Sequence, residues 1–238
     1  MFYKFESKWW VLVLACLLMA CSGREPSQQA LAPGATVLAF GDSITYGTGA
    51  GSGEGYPEQL AALTGLQVVN AGIPGDTARE ALARIDAQLA EHQPALMILE
   101  LGGNDFLRQR QANKVKEDLR SMIRSAREAG VEVLLVAVPR LSLARAQLGM
   151  LEDSVIYREL ADEEGVSLFA DELSAILSED ALRADRIHPN AAGYEQLARS
   201  LRFPGCQTAR GLVLSSGQHA PAQQVVYETV GARPAAGE

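Results

Sequence analysis

The residues that could do chemistry lie in two places far apart along the 238-residue chain. Near the start, Gly41-Asp42-Ser43-Ile44-Thr45 follows the apolar run Val37-Leu38-Ala39-Phe40. A Ser just past a strand, with Gly two residues before it, stands where a nucleophile would. The Gly permits a sharp turn and keeps the hydroxyl open to substrate. A Ser hydroxyl is a poor nucleophile alone and needs a base and an acid to orient that base. Near the other end, Asp185-Arg186-Ile187-His188-Pro189 offers both. His188 would take the Ser43 proton, and Asp185, three residues earlier on the same loop, would orient the imidazole. Taken singly, each piece has a plainer reading. Gly-Asp-Ser suits an ordinary turn, Asp185 could cap one, and His188 could merely begin a helix. His92, in a loop before Pro94, and His219, near the end, compete poorly as bases. Asp42 and Asp105 read as structural carboxylates.

Positioning these residues requires alternating strands and helices. The run 37–40 predicts a buried strand, with Ser43 on an exposed loop beyond it. A glycine-rich loop (47–55) follows, lacking the Gly-Lys-Ser/Thr of a phosphate-binding loop. The periodicity then predicts a helix over 56–63 and a strand over 67–70 ending in Ala71-Gly72. A helix opened by the capping-box pair Thr77 and Glu80 should run past Leu89, with Ala78, Ala81, Leu82, Ile85 and Leu89 on one face. A strand over 96–101 leads into Gly102-Gly103-Asn104-Asp105. Val115, Leu119, Met122, Ile123 and Ala126 form the stripe of a further helix, stopped by Gly130. Strands over 131–138 and 166–169 flank a helix over 151–164. Pro189 opens a last helix that reaches Leu201. This order implies an α/β fold: a five-stranded parallel sheet with helices on both faces, a three-layer sandwich. Its ligands would bind beyond the carboxyl ends of the strands, where Ser43, Gly72 and Asn104 meet on one rim.

Composition narrows the function. The formal net charge is -8, which argues against nucleic-acid binding. The three cysteines, Cys16, Cys21 and Cys206, leave one thiol in the body, with no disulfide framework and no Cys-x-x-Cys pair. The three histidines show no ligand spacing, so neither a metal nor a cofactor is expected. At the N-terminus, Lys4 and Lys8 precede an apolar run over 9–20 that is too short for a span of ~20 residues and fits a secretory leader. Residues 22–35, rich in Ser, Gln, Pro and Gly, read as a tether. From 204 to 238 the periodicity fails, and this stretch reads as a poorly ordered tail.

Four blocks in order, Gly41-Asp42-Ser43-Ile44, Asn70-Ala71-Gly72, Gly102-Gly103-Asn104-Asp105 and Asp185-x-x-His188, resemble the SGNH, or GDSL-type, hydrolases over residues 36–202. Gly55-Tyr56-Pro57 and Leu101-Gly102-Gly103-Asn104-Asp105 look most like the bacterial thioesterase, lysophospholipase and arylesterase branch. The resemblance implies a flavodoxin-like sheet, a Ser43–His188–Asp185 triad, and an oxyanion hole built from the Ser43 N–H, the Gly72 N–H and the Asn104 amide. Two departures stand out. Thr45 breaks the Gly-x-Ser-x-Gly pattern of ordinary α/β-hydrolases. Pro139-Arg140-Leu141-Ser142-Leu143 replaces the branch's usual substrate loop, so acyl-chain preference does not carry over. Separately, Leu18-Met19-Ala20-Cys21 resembles the bacterial lipobox. That implies cleavage before Cys21 and a lipid on its sulfur. Ser22, where Asp would retain the protein at the inner membrane, favours the outer membrane facing the periplasm. The expectation is thus a lipid-anchored serine esterase of acyl or aryl esters, without cofactor, its substrate a small or lipid ester. The rivals are a deacetylase of cell-envelope sugars and a non-catalytic envelope lipoprotein.

Overall fold

A computed structural model describes residues 31–140 and 151–201. The leader, Cys21, most of the tether, residues 141–143, Cys206, His219 and the tail lie outside the described residues. Strands β1 (Thr36–Gly41), β2 (Gln67–Gly72), β3 (Leu96–Glu100), β4 (Glu132–Val136) and β5 (Ser167–Phe169) form one sheet in the order β2-β1-β3-β4-β5. All its pairings are parallel. Every residue of β3 is buried, as a strand covered on both faces must be.

The chain steps to one side from β1 to β2 and to the other side from there on. Right-handed crossovers therefore send the first connecting helix to one face and the later ones to the other. The first connection holds α1 (Ser43–Tyr46) and α2 (Tyr56–Thr64). The second holds α3 (Ala78–Leu82) and α4 (Ile85–His92), the third α5 (Gly103–Leu107) and α6 (Ala112–Glu128), and the fourth α7 (Ile156–Glu164). After β5 come α8 (Glu172–Ser178), a 3₁₀ turn (Asp180–Leu182) and α9 (Ala191–Leu201). The packing follows that division: α9 lies against α2 and α8, while α6 lies against α3, α4 and α7. On α6, the stripe Val115, Leu119, Met122, Ile123 and Ala126 is wholly buried. Burial of this kind contributes ~25 cal/mol per Å² of apolar surface removed from water.

Several boundaries differ from the sequence reading. Ser43 begins a helix instead of lying on an open loop; four residues are too few to show a period. The helix expected from Thr77 past Leu89 is two helices, broken at Ala83-Arg84. The helix expected from Leu151 begins at Ile156, because Asp153 pairs with Pro139 in a β-bridge. Pro189 does not open the last helix: it bridges to Arg183, and Asn190 takes the capping position by accepting from the Gly193 N–H at 3.0 Å. Leu31, inside the expected tether, is buried in the core.

Candidate active site

The order of the sheet reverses between β1 and β3, and there the site opens, beyond the ends of both strands. β1 delivers the chain directly into α1. The Asp42 side chain caps that helix by accepting from the Ile44 N–H at 3.1 Å, which sets Ser43 in the first turn. First-turn N–H groups have no acceptor within their own helix, so the Ser43 N–H is available to a ligand.

His188 reaches Ser43 across 145 residues of sequence, its Nε2 lying 2.9 Å from Ser43 Oγ. Its Nδ1 lies 2.8 Å from Asp185 Oδ2. The other Asp185 oxygen accepts from the Ile187 and His188 N–H groups at 2.8 and 2.9 Å. With the carboxylate accepting at Nδ1–H, Nε2 is the bare nitrogen and accepts from the Ser43 hydroxyl. Partial burial would raise the Asp185 pKa, but the His188 ring, the backbone N–H groups and the His188 charge outweigh it and hold the carboxyl below its usual range. The structure thus brings Ser43, His188 and Asp185 into one hydrogen-bonded chain.

Two close approaches join the His188 loop and the helix after it to the glycine-rich loop. Tyr194 on α9 donates to the Thr48 carbonyl at 2.8 Å. Gly49, at φ +100°, lies so close that a Cβ there would stand 2.4 Å from the Pro189 carbonyl oxygen. Neither contact was evident in the sequence.

Gly72 and Asn104 also arrive at this rim. Gly72 ends β2 against α1, where a Cβ would stand 2.2 Å from the Tyr46 nitrogen. In this structure both have partners of their own. The Gly72 N–H donates to Asn70 Oδ1 at 3.0 Å. The Asn104 amide donates to Asp42 Oδ2 and to the Asp76 carbonyl, each at 3.0 Å. Asp42 is buried and its pKa is pushed up to about 6. Burial is the main cause, and the Ile44 N–H, the His188 charge and the Asn104 amide oppose it. Beside Gly72, a cavity of about 470 Å³ is lined by Tyr46, Ser52, Glu58 and Asn70 together with loop glycines. Tyr46 and Ile73 are exposed apolar residues on the same rim.

Sequence reasoning missed the supports of this rim. Arg84 bonds Asp76 Oδ2 at 2.9 Å, the Ala71 carbonyl at 3.0 Å and the Gly41 carbonyl at 3.1 Å. Its guanidinium also stacks 4.1 Å over the Phe40 ring, so one side chain ties β1, β2 and the Asp76 turn together. Tyr157 donates to the Leu101 carbonyl at 2.7 Å and supports the turn that carries Asn104. Asp105 accepts from the Ala78 N–H at 2.8 Å and from Arg110 at 2.8 Å, which agrees with a structural role. The capping box of Thr77 and Glu80 is present as expected. Among the described residues no cluster of His, Cys, Asp and Glu could hold a metal ion, and no helix is long and apolar enough to cross a membrane.

Comparison with known proteins places this site among its relatives. The profile of the GDSL-like lipase/acylhydrolase family matches residues 39–196. The chain is 34% identical over 197 residues to esterase TesA of Pseudomonas aeruginosa, covering 80% of this chain and 94% of that protein. It is 35% identical over 158 residues to thioesterase 1/protease 1/lysophospholipase L1 of Escherichia coli, covering 65% of this chain and 76% of that one. A crystal structure of TesA superposes with a TM-score of 0.62 at 32% identity, over 70% of this chain and 95% of the other. The chain therefore belongs to the GDSL-like lipase/acylhydrolase family and is a serine ester hydrolase.

Proposed function

We propose that the chain is a lipid-anchored esterase that hydrolyses acyl or aryl esters through an acyl-enzyme on Ser43, with lysophospholipids and acyl thioesters open to the same chemistry. The observation that carries this reading is His188, with one ring nitrogen 2.9 Å from Ser43 Oγ and the other 2.8 Å from Asp185. Ser43 Oγ attacks the ester carbonyl carbon while its proton passes to His188 Nε2. Asp185 stabilises the imidazolium that results. The carbonyl π electrons move onto oxygen, and this oxyanion is received by the Ser43 N–H, the Gly72 N–H and the Asn104 amide. Gly72 and Asn104 exchange their internal partners for it, so the interaction strengthens as charge develops. Collapse breaks the bond to the leaving alcohol, which takes the proton from Nε2. Water then repeats the sequence, releasing the acid and restoring Ser43.

The anchor belongs to the same proposal. A short apolar leader, the lipobox-like Leu18-Met19-Ala20 before Cys21 and a polar segment after it support lipidation of Cys21. Each acyl chain adds ~0.8 kcal/mol per buried methylene. The location would be the outer membrane, facing the periplasm.

A fluorophosphonate probe should label the wild-type protein at Ser43, and Ser43→Ala should lose both labelling and hydrolysis while keeping its fold. Retention of most of the esterase activity by Ser43→Ala would overturn the mechanism. A panel of short-chain, long-chain and acetyl-sugar esters then sets the substrate class, and acetyl-sugar preference would replace the acyl-ester reading with deacetylation. Fatty-acid analogue label should appear on wild type and not on Cys21→Ser. An unlabelled wild-type protein in the soluble fraction would remove the anchor.

A further inference from the structure

Beneath Ser43 lie two buried carboxyl groups, and the mechanism above uses neither. Asp42 caps α1. Glu100, the last residue of β3, is 1% exposed and stands in register with Gly41. Its Oε2 lies 2.9 Å from Thr45 Oγ1, two residues past Ser43 in the nucleophile helix. Thr45 Oγ1 in turn lies 3.1 Å from the Tyr56 hydroxyl on α2. Gly41 leaves room for this contact, since a Cβ there would stand 2.0 Å from Thr45 Oγ1 and 2.5 Å from the Glu100 carbonyl oxygen. A three-membered chain, Glu100–Thr45–Tyr56, therefore joins β3, α1 and α2 directly under the nucleophile.

The remaining oxygen, Glu100 Oε1, is buried and has no hydrogen-bond partner among the described residues. No salt bridge to Glu100 is formed among them either. A carboxylate in that position would be a buried charge with one oxygen bare, which is far more costly than a buried neutral acid. The groups that face it add no positive charge from the core: Asp42 from the turn, and the phenols Tyr56 on α2, Tyr157 on α7 and Tyr194 on α9, which burial above all pushes above their usual range. His188 faces Asp42 from the opposite loop. Burial drives Glu100 well above the ordinary carboxylate range, and the Asp42 charge adds to it. The Thr45 hydroxyl and the Asp42 and Thr45 N–H groups oppose that shift and are outweighed. With the proton on Oε2, the acid donates to Thr45 Oγ1 and Thr45 donates onward to Tyr56. The orphan atom is then a carbonyl oxygen, the less costly group to leave alone.

We propose that Glu100 is a positioning residue: an uncharged carboxylic acid that clamps α1 to the tip of β3 through Thr45 and leaves the single negative charge beneath the nucleophile on Asp42. That charge is the one that orients the Asn104 amide, at 3.0 Å. Placing it on Glu100 instead would free the amide and shift the turn that carries Ser43. The inference rests on Ser43 being the nucleophile.

The test compares wild type, Glu100→Gln, Glu100→Leu and Thr45→Val in the full chain. The readouts are the fluorophosphonate labelling rate at Ser43, kcat and KM for p-nitrophenyl acetate from pH 5 to 9, and thermal melting. Gln preserves shape and hydrogen bonding without charge. It should keep kcat within about threefold and leave the pH profile in place, whereas Leu and Val should lower kcat and labelling about tenfold or more, with KM within about twofold. Should Glu100→Leu fail to fold, Thr45→Val and Glu100→Gln carry the comparison. A folded Glu100→Gln as impaired as Leu, or with a displaced pH profile, would show that the charge is needed and overturn the proposal. Wild-type labelling by both Leu and Val would overturn the clamp. Failure of the wild-type protein itself to label would sink the esterase reading instead.

Discussion

Asn104 has two hydrogens on its amide nitrogen, and both have acceptors in the resting site: Asp42 and the Asp76 carbonyl. The proposed mechanism needs at least one of them to turn toward an oxyanion. Removing the amide should therefore cost turnover more than affinity. Asn104→Ala is expected to lower kcat by ~10²–10³ with KM nearly unchanged, the usual effect of losing one such donor. A steady-state comparison checks it, and a change confined to KM would make Asn104 a ground-state binder. At this scale the sequence was informative where chemistry demands a residue type. Ser43, Asp185, His188, Gly72 and Asn104 follow strand ends or share a loop, so their types and spacing stand out in the sequence. Arg84, Asp76, Tyr157 and Glu100 were not legible. Their work is to join segments distant in sequence, and nothing in their local pattern marks an Arg that bonds two strand ends or a Glu that lies under a helix.

Among the elements, the glycine-rich loop and the His188 loop act as one piece. Gly49 permits their approach through a positive φ and a missing Cβ. Gly49→Ala should push the Pro189 carbonyl away and carry His188 out of reach of Ser43, lowering kcat about tenfold or more, since displacement of a reacting group by about 1 Å can cost 10²-fold. Gly65→Ala is the control: its φ is +72° but nothing lies within 4 Å of the added Cβ. It should lower stability by about 1 kcal/mol and leave kcat intact. Kinetics and thermal melts of the two variants distinguish lost geometry from backbone strain. The long helices and the strands were legible because burial imposes a period on them, as the α6 stripe shows. Short elements were not: α1 and α5 are only four and five residues long. The break at Ala83-Arg84 was hidden because the apolar spacing continues across it while Arg84 turns toward the ends of β1 and β2.

For the whole molecule, the buried carboxyl groups set how stability depends on pH. Asp42 titrates at 3.8 when unperturbed and at about 6 in the fold. Between those values the folded state binds more protons at Asp42 than the unfolded one, so this group's contribution to stability falls as pH rises through that window and is level above it. Glu100, also shifted upward, acts in the same direction. The lowered groups, Asp185 among them, act oppositely but only as pH falls toward 4 and below. Raising pH from 5 to 8 should therefore cost wild type about 1 kcal/mol through Asp42, and Asp42→Asn should lack that loss. Urea unfolding at both pH values measures it, and an equal pH dependence in the two proteins would show that Asp42 is not the group responsible. The parallel three-layer architecture was legible from the alternation of strand and helix patterns. The internal partners of Gly72 and Asn104 were not, because they depend on how the strand ends meet.

The 145 residues between Ser43 and His188 also have a meaning in time. A chain synthesised from its N-terminus at about 5–20 residues per second makes the serine on the order of ten seconds before the histidine exists. Even then the two must close one of the longer loops among the described residues, a contact formed late in folding because its entropy cost precedes any return. Until the histidine has been made and that loop has closed, the hydroxyl is an ordinary alcohol. On the proposed mechanism, reactivity arrives only with the His188 loop and the helix after it, whose Tyr194 reaches back to Thr48.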